Sequence, residues 1–399
     1  MAGPTAYNAG PMEARLPEPS PDARAASEQL VRRIGDEIRA HQGWISFARY
    51  WELALFTPGL GYYAGGAHKF GSAAEGGDFV TAPELTPLFG QALANQVAQV
   101  MAASSPQVLE AGAGTGKLAA DLLLALDTRG AAPERYAILE LSGELRQRQR
   151  ATLQTRAPGL ADRVEWLDAL PETFSGCVVG NEVLDSMPVH AVHWRDGTVF
   201  ERGIALDAAG ELVWHERPAT GALAEAAAGL PVSAPYRGEI GLAARAWVAE
   251  WGRILRHGAL LLIDYGLPRR ELYHPQREGG TVRCHYRQRS HDDPLWWPGL
   301  CDITAHVDFT AVAEAGHAAG LDVLGYAGQA AFLMNCGIGD LLARRQADDD
   351  AASAHRAGGA LQLLLSPNEM GELFKAIALG RGINDPLLGF RRGDRTVAL

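Results

Sequence analysis

Val108-Leu109-Glu110-Ala111-Gly112-Ala113-Gly114-Thr115-Gly116-Lys117-Leu118 is the stretch from which the rest of the chain is read. A short apolar run, suited to a buried strand, passes into three glycines at alternate positions. A helical pattern follows, with Leu118, Leu122 and Leu126 four residues apart. Glycine at such a junction lets the backbone turn tightly and approach a ligand at the helix N-terminus, where unpaired N–H groups point outward. A phosphate loop of the form GxxxxGK[ST] fails twice, because Ala111 takes the first glycine position and Leu118 the hydroxyl position. The dinucleotide fingerprint GxGxxG/A fails from Gly112, where Lys117 takes the third place. Counted from Gly114 it is met in its weaker form, with Ala119 last, and the glycines alone leave it open.

Working outward, strand-like runs and amphipathic helices alternate: Tyr136 to Leu141, a helix from Gly143 to Thr155, Val164 to Leu167, and Cys177-Val178-Val179. This alternation predicts an α/β fold with a parallel, doubly wound sheet. Acids fall at the carboxyl ends of consecutive strands, where such sheets present their sites: Glu110, Glu140, Asp168 (followed by Ala169), and then Asn181-Glu182-Val183-Leu184-Asp185. The next buried strand, Leu260 to Asp264, comes late. Asp264 lies 79 positions after Asp185, against ~30 for a simple crossover, so some ~45–50 residues are inserted. The insert opens as a hairpin, His190 to Trp194 and Val199 to Ile204 with Asp196-Gly197 as the turn, and continues as an Ala-rich helix and a second helix from about Glu239 to Leu255. After a polar, histidine-rich stretch to His306 come a helix and a strand (Leu321 to Tyr326), then helical segments at Leu361 to Leu365 and Glu372 to Leu379.

Before the glycine motif, helices are expected over Ala25 to Ala40, Ser46 to Phe56, and from Pro87 to Met101. Between Thr57 and Pro83, seven glycines in 27 residues, with aromatics among them, suit a lid or binding loop. Residues 1–24, rich in Pro, Ala and Gly, read as a disordered lead-in without the apolar core of a signal peptide. The 399 residues carry 36 basic and 47 acidic side chains, a net charge of −11 that argues against holding nucleic acid by phosphate neutralisation. No apolar run approaches the ~20 residues of a membrane span. Cys177, Cys284, Cys301 and Cys336 form no CxxC pair, so a reducing compartment is expected and a disulfide scaffold is not. His274, Cys284, His285, His291, Cys301 and His306 match no closed metal-ligand spacing, and no metal is expected. Only three lysines stand among the 36 basic residues. With the abundant alanine, this fits a GC-rich bacterial genome, and the cysteine pattern fits a cytoplasmic location.

The form E-x-G-x-G-x-G resembles motif I of the class I S-adenosylmethionine-dependent methyltransferases, and more of the chain, about residues 25–390, is similar to the MidA family. That resemblance rests on Pro58-Gly59-x-Gly61-Tyr62-Tyr63, Gly77-Asp78-Phe79-Val80-Thr81-Ala82-Pro83-Glu84, Asn181 to Val189, Ile263-Asp264-Tyr265-Gly266, Asp302 to Phe309, and Met370 to Lys375. Ala111 departs from it, family members often having Pro there. The combination decides against the dinucleotide reading. It implies a Rossmann-like methyltransferase core (106–190 and 257–399) with an N-terminal helical cap and Gly-rich lid (25–105) and an inserted subdomain (191–256). It further implies S-adenosylmethionine as cofactor, held by Glu110, Gly112, Gly114, Gly116, Glu140, Asp168 and Ala169, together with Asp78, Thr81, Pro83 and Glu84. Its mitochondrial members assist assembly of respiratory complex I, which points to a protein substrate presenting arginine; a homodimer is compatible with it. A cationic acceptor is best held by carboxylates. Glu182 and Asp185 are therefore expected to clamp it, Asn181 to orient its nitrogen, and His306 and Asp308 to complete the far wall or relay a proton. Methyl transfer to a small metabolite and a non-catalytic assembly role are the alternatives.

Overall fold

The structure, a computed structural model, describes residues 16–65, 81–348 and 351–399, with the backbone alone at 346–348 and 351–355. Asp78, most of the Gly-rich segment and the first fifteen residues lie outside the described residues. The seven long strands of the main sheet are β1 (Gln107–Ala111), β2 (Arg135–Leu139), β3 (Val164–Leu167), β4 (Phe174–Asn181), β5 (Leu255–Leu267), β6 (Asp322–Gly328) and β7 (Phe374–Arg381). Their order across the sheet is β6-β7-β5-β4-β1-β2-β3, and the two-residue strand Val307–Asp308 adds to the end of β5. The strands from β5 to β3 run parallel. The chain thus reverses direction across the sheet between β4 and β1, and a crevice opens beyond their carboxyl ends.

One expectation is corrected here: Glu372 to Leu379 is not helical beyond Leu373 but enters β7, antiparallel to both β5 and β6. Ala376, Ile377, Ala378 and Leu379 are each fully buried. A strand covered on both faces has no alternating pattern, so periodicity cannot separate it from a buried helix. Two boundaries also move. The first helix, α1 (Pro21–Ala40), begins inside the segment read as a disordered lead-in, with Ser20 as its N-cap and Pro21 at its first position. The expected helix from Glu239 begins instead as a strand, Tyr236–Ile240.

Further helices are α2 (Phe47–Phe56), α3 (Pro87–Ala103), α4 (Lys117–Thr128), α5 (Gly143–Arg156), α6 (Leu242–Ile254) and α7 (Phe309–Ala318). On one face of the sheet α3 and α4 pack through Phe89, Val97, Leu122 and Leu126. On the other, α6 and α7 pack through Val248, Trp251, Phe309 and Val312. The insert forms a five-stranded sheet from His190–Arg195, Thr198–Leu206, Leu212–Pro218 and Tyr236–Ile240, completed by Ile45–Ser46 of the cap. The histidine-rich stretch folds into a three-stranded sheet of Arg283–Tyr286, Arg289–His291 and Asp302–Thr304. Cap, insert and this small sheet share one core containing Phe47, Trp51, Ile204, Cys284 and Ile303, with Trp296 packed at its edge. Among the described residues, no helix is long and apolar enough to cross a membrane.

Candidate active site

The crevice at the strand ends is a cavity of about 640 Å³, within the usual range for a small-molecule site. Its floor is the turn from β1 into α4. Gly112, Gly114 and Gly116 have φ of 67°, 50° and 83°, in the left-handed region that favours glycine. At Gly116 space is also limiting, because a Cβ there would meet Gln149 Cα of α5 at 2.9 Å. Gln149 ties the turn to the next strand end. Its Nε2 donates to Gly114 O and to Glu140 Oε2, both at 3.1 Å, while Trp166 Nε1 donates to its Oε1 at 2.9 Å. Glu140 faces the cavity, accepts from Ser142 N at 2.9 Å, and is raised above the ordinary carboxylate range by burial. Glu110, 1% exposed, accepts from the Tyr136 hydroxyl at 2.5 Å, and burial pushes its carboxyl up to about 7.

The cap closes over this turn. Glu84 Oε1 accepts from Thr115 Oγ1 at 2.5 Å, Pro83 O accepts from Lys117 Nζ, and Thr81 and Pro83 line the cavity. Asp168 and Ala169 do not line it. The Asp168 side chain is 90% exposed and paired with Arg146 at 2.7 Å. Arg146 in turn donates to Leu167 O and Glu140 O, so Asp168 braces the end of β3 from outside.

The opposite end of the cavity is built by the turn after β4. Glu182 has φ of 53°, unusual for a residue other than glycine. The turn is fixed by Asp264 at the end of β5, whose Oδ2 accepts from Val183 N, Leu184 N and Asp185 N at 3.0, 2.8 and 3.3 Å. Trp51 of α2 donates to Ser186 O at 2.9 Å, so the cap helps hold the same turn. Glu182 looks into the cavity but is enclosed by protein. Burial and then the neighbouring Asp185 push its carboxyl up to about 8, against hydrogen bonds from Asn181 and the Ala82 N–H. Asp185, 5% exposed, is pushed up by burial to about 6 despite a hydrogen bond from the Tyr265 hydroxyl. Asn181 Oδ1 and Asp185 Oδ1 are buried without a hydrogen-bond partner, which normally costs free energy unless a ligand supplies the donor.

His306 and Asp308 lie elsewhere. They border a separate void of about 30 Å³ behind the wall. Asp308 is the N-cap of α7, accepting from Ala311 N at 2.9 Å and pairing with Arg269 at 3.5 Å. His306 packs edge-on against Tyr265 with centroids 5.4 Å apart, and burial lowers its imidazole to about 4. Neither touches the cavity, because the chain has turned into α7 by that point. Cys301 Sγ approaches His291 Nε2 at 3.4 Å, and among the described residues no group of three or more potential metal ligands converges. Spacing does not single out Phe56, Tyr63 or Asp302, because they join the β4 turn at the cavity from distant parts of the chain; Tyr63, Asp264 and Asp302 do lie within the stretches that carry the family resemblance.

A parallel sheet extended by the antiparallel β7, with a glycine turn after β1 and acids at the ends of β1, β2 and β4, defines a Rossmann-like methyltransferase. A family model described as an S-adenosyl-L-methionine-dependent methyltransferase matches residues 90–327. The chain belongs to that family, a MidA-like one, and its cofactor is S-adenosylmethionine. A crystal structure of a superfamily member from Burkholderia thailandensis, bound to S-adenosyl-homocysteine, is 53% identical. It superposes with a TM-score of 0.92 over 96% of this chain and 100% of that one. The mitochondrial protein arginine methyltransferase NDUFAF7 of Mus musculus is 30% identical over 88% of this chain and 84% of its own length. Its Danio rerio counterpart is 29% identical over 88% and 86%.

Proposed function

We propose that this methyltransferase acts on arginine side chains of a protein, a respiratory-complex subunit or a related protein. The observation that carries this reading is the carboxyl-rich lining of the cavity. Among the described residues its wall holds seven carboxylic side chains (Glu84, Glu110, Glu140, Glu144, Glu182, Asp185 and Asp302) and no Lys, Arg or His. Such a wall favours cationic occupants, and a sulfonium cofactor and a guanidinium acceptor are both cations. The printed names of the mitochondrial relatives support the choice of arginine.

Bound S-adenosylmethionine supplies an electrophilic methyl group on sulfur. The chain's own residues do the rest. The Gly112–Gly116 turn would present backbone to the cofactor, and Glu140 would accept from its ribose hydroxyls. Glu182 and Asp185 receive the acceptor's N–H groups, and the open Asn181 Oδ1 aims one nitrogen along the line of displacement. On transfer of the methyl group to a guanidinium nitrogen, the surplus proton would pass to the Glu182 carboxylate, which burial and Asp185 make more basic than an ordinary carboxylate in the ligand-free protein. Incubation of the protein with methyl-labelled S-adenosylmethionine and cell lysate is expected to label protein bands that yield methylarginine on hydrolysis. Label confined to low-mass material, or absent, would overturn the reading.

A further inference from the structure

We propose that Asp302, Tyr63 and Phe56 form the wall that selects a guanidinium over other acceptors, a role that rests on the arginine reading above. Asp302 comes from the small three-stranded sheet, not from the methyltransferase sheet, and is 2% exposed. Tyr63 donates its hydroxyl to Asp302 Oδ1 at 2.9 Å, which fixes the carboxylate. The Tyr63 ring stacks on Phe56 at 5.6 Å with 20° between planes, and both rings line the cavity.

These groups face the acids of the β4 turn. Tyr63 lies close enough to Asp302, Asp185 and Glu182 that, after burial, all three help hold its phenol un-ionised. The cavity between them therefore has carboxylates contributed by two separate sheets, an aromatic pair, and the unpartnered buried oxygens Asp185 Oδ1 and Asn181 Oδ1. It is rich in acceptors and poor in donors. A planar cation with five N–H groups answers both the aromatic face and the spread of oxygens. A lysine ammonium is a compact charge that satisfies one side and leaves the other unpaired. Neutral citrulline keeps the plane but loses the charge.

The test is calorimetric titration of the S-adenosylhomocysteine-loaded protein with three tripeptide amides, acetyl-Gly-X-Gly-amide, where X is arginine, lysine or citrulline. The arginine peptide is expected to bind about tenfold or more tightly than either of the others. Asp302→Asn is expected to erase most of that preference, and Tyr63→Phe, which keeps the ring, to reduce it by a smaller factor. In both variants S-adenosylhomocysteine affinity, a direct check on folding, stays within about twofold of wild type. Equal binding of the arginine and lysine peptides by the wild-type protein would overturn the proposal. So would arginine affinity within twofold of wild type in both variants. A protein that selects the arginine tripeptide yet yields no methylarginine from lysate would sink the functional reading and leave this selectivity standing.

Discussion

Glu182 combines an unfavourable backbone angle, a buried carboxyl and an acidic neighbour, a concentration of cost typical of functional positions. The consequences for pH follow from the direction of each shift. In the folded, ligand-free protein the Glu182 carboxyl sits at about 8 against an ordinary 4.5. The native state therefore holds a proton that the unfolded chain has released. That stabilisation is complete below pH 4.5 and is lost as pH rises through about 8. Glu182→Gln should remove this dependence: between pH 5.5 and 8.5 its melting temperature is expected to fall less than that of wild type, by about 1–3 °C. Parallel curves by scanning calorimetry would contradict it. The same variant should lower kcat/KM for an arginine acceptor by on the order of 100-fold. Wild-type acceptor binding should strengthen from pH 6 to pH 8.5 as Glu182 and Asp185 ionise. His306 shifts the opposite way, to about 4 from 6.5, so its contribution is present above pH 6.5 and is lost as pH falls towards 4.

At the scale of elements, the two turns that make the site depend on contacts outside themselves. Gly116→Ala places a Cβ against Gln149 at a backbone angle side chains rarely adopt. It is expected to cost about 1–3 kcal/mol of stability and to weaken S-adenosylhomocysteine binding about tenfold, both measurable by thermal shift and titration. Asp264→Ala removes the acceptor of three backbone N–H groups in the β4 turn. A loss of about 3 kcal/mol and near-abolition of transfer are expected, whereas Asp264→Asn, which keeps one oxygen, should retain more of both. The strands β1 to β4 were readable because each is a short apolar run closed by an acid or glycine. Asp264 was readable as a strand end but not as a clamp, since its partners stand 79 to 81 positions earlier. Asp302 and Tyr63 are 239 positions apart and meet only through the shared core of cap and small sheet. The glycine turn and the β4 turn each lie along one local stretch, whereas Tyr63, Asp264 and Asp302 reach the cavity or its turns only through tertiary packing. That difference is why the two turns were legible and the residues that packing brings to them were not.

For the molecule as a whole, the net charge of −11 and the acid-lined cavity point the same way. Raising ionic strength from 0.02 to 0.3 M (both about) should lower kcat/KM for a cationic peptide several-fold, while S-adenosylhomocysteine affinity moves less. Equal sensitivity of the two would show that long-range attraction plays no part in acceptor capture. The placement of β7 has a separate consequence. It is formed from residues 374–381 yet lies between β6 and β5, inside the sheet rather than at its margin. While the chain is being made, β5 must wait with one edge unpaired for more than a hundred residues of further synthesis. Such an edge invites pairing with other chains. A message cut short before residue 374 should therefore yield insoluble protein rather than a weakened enzyme, and the emerging chain has every reason to be met by chaperones at the ribosome.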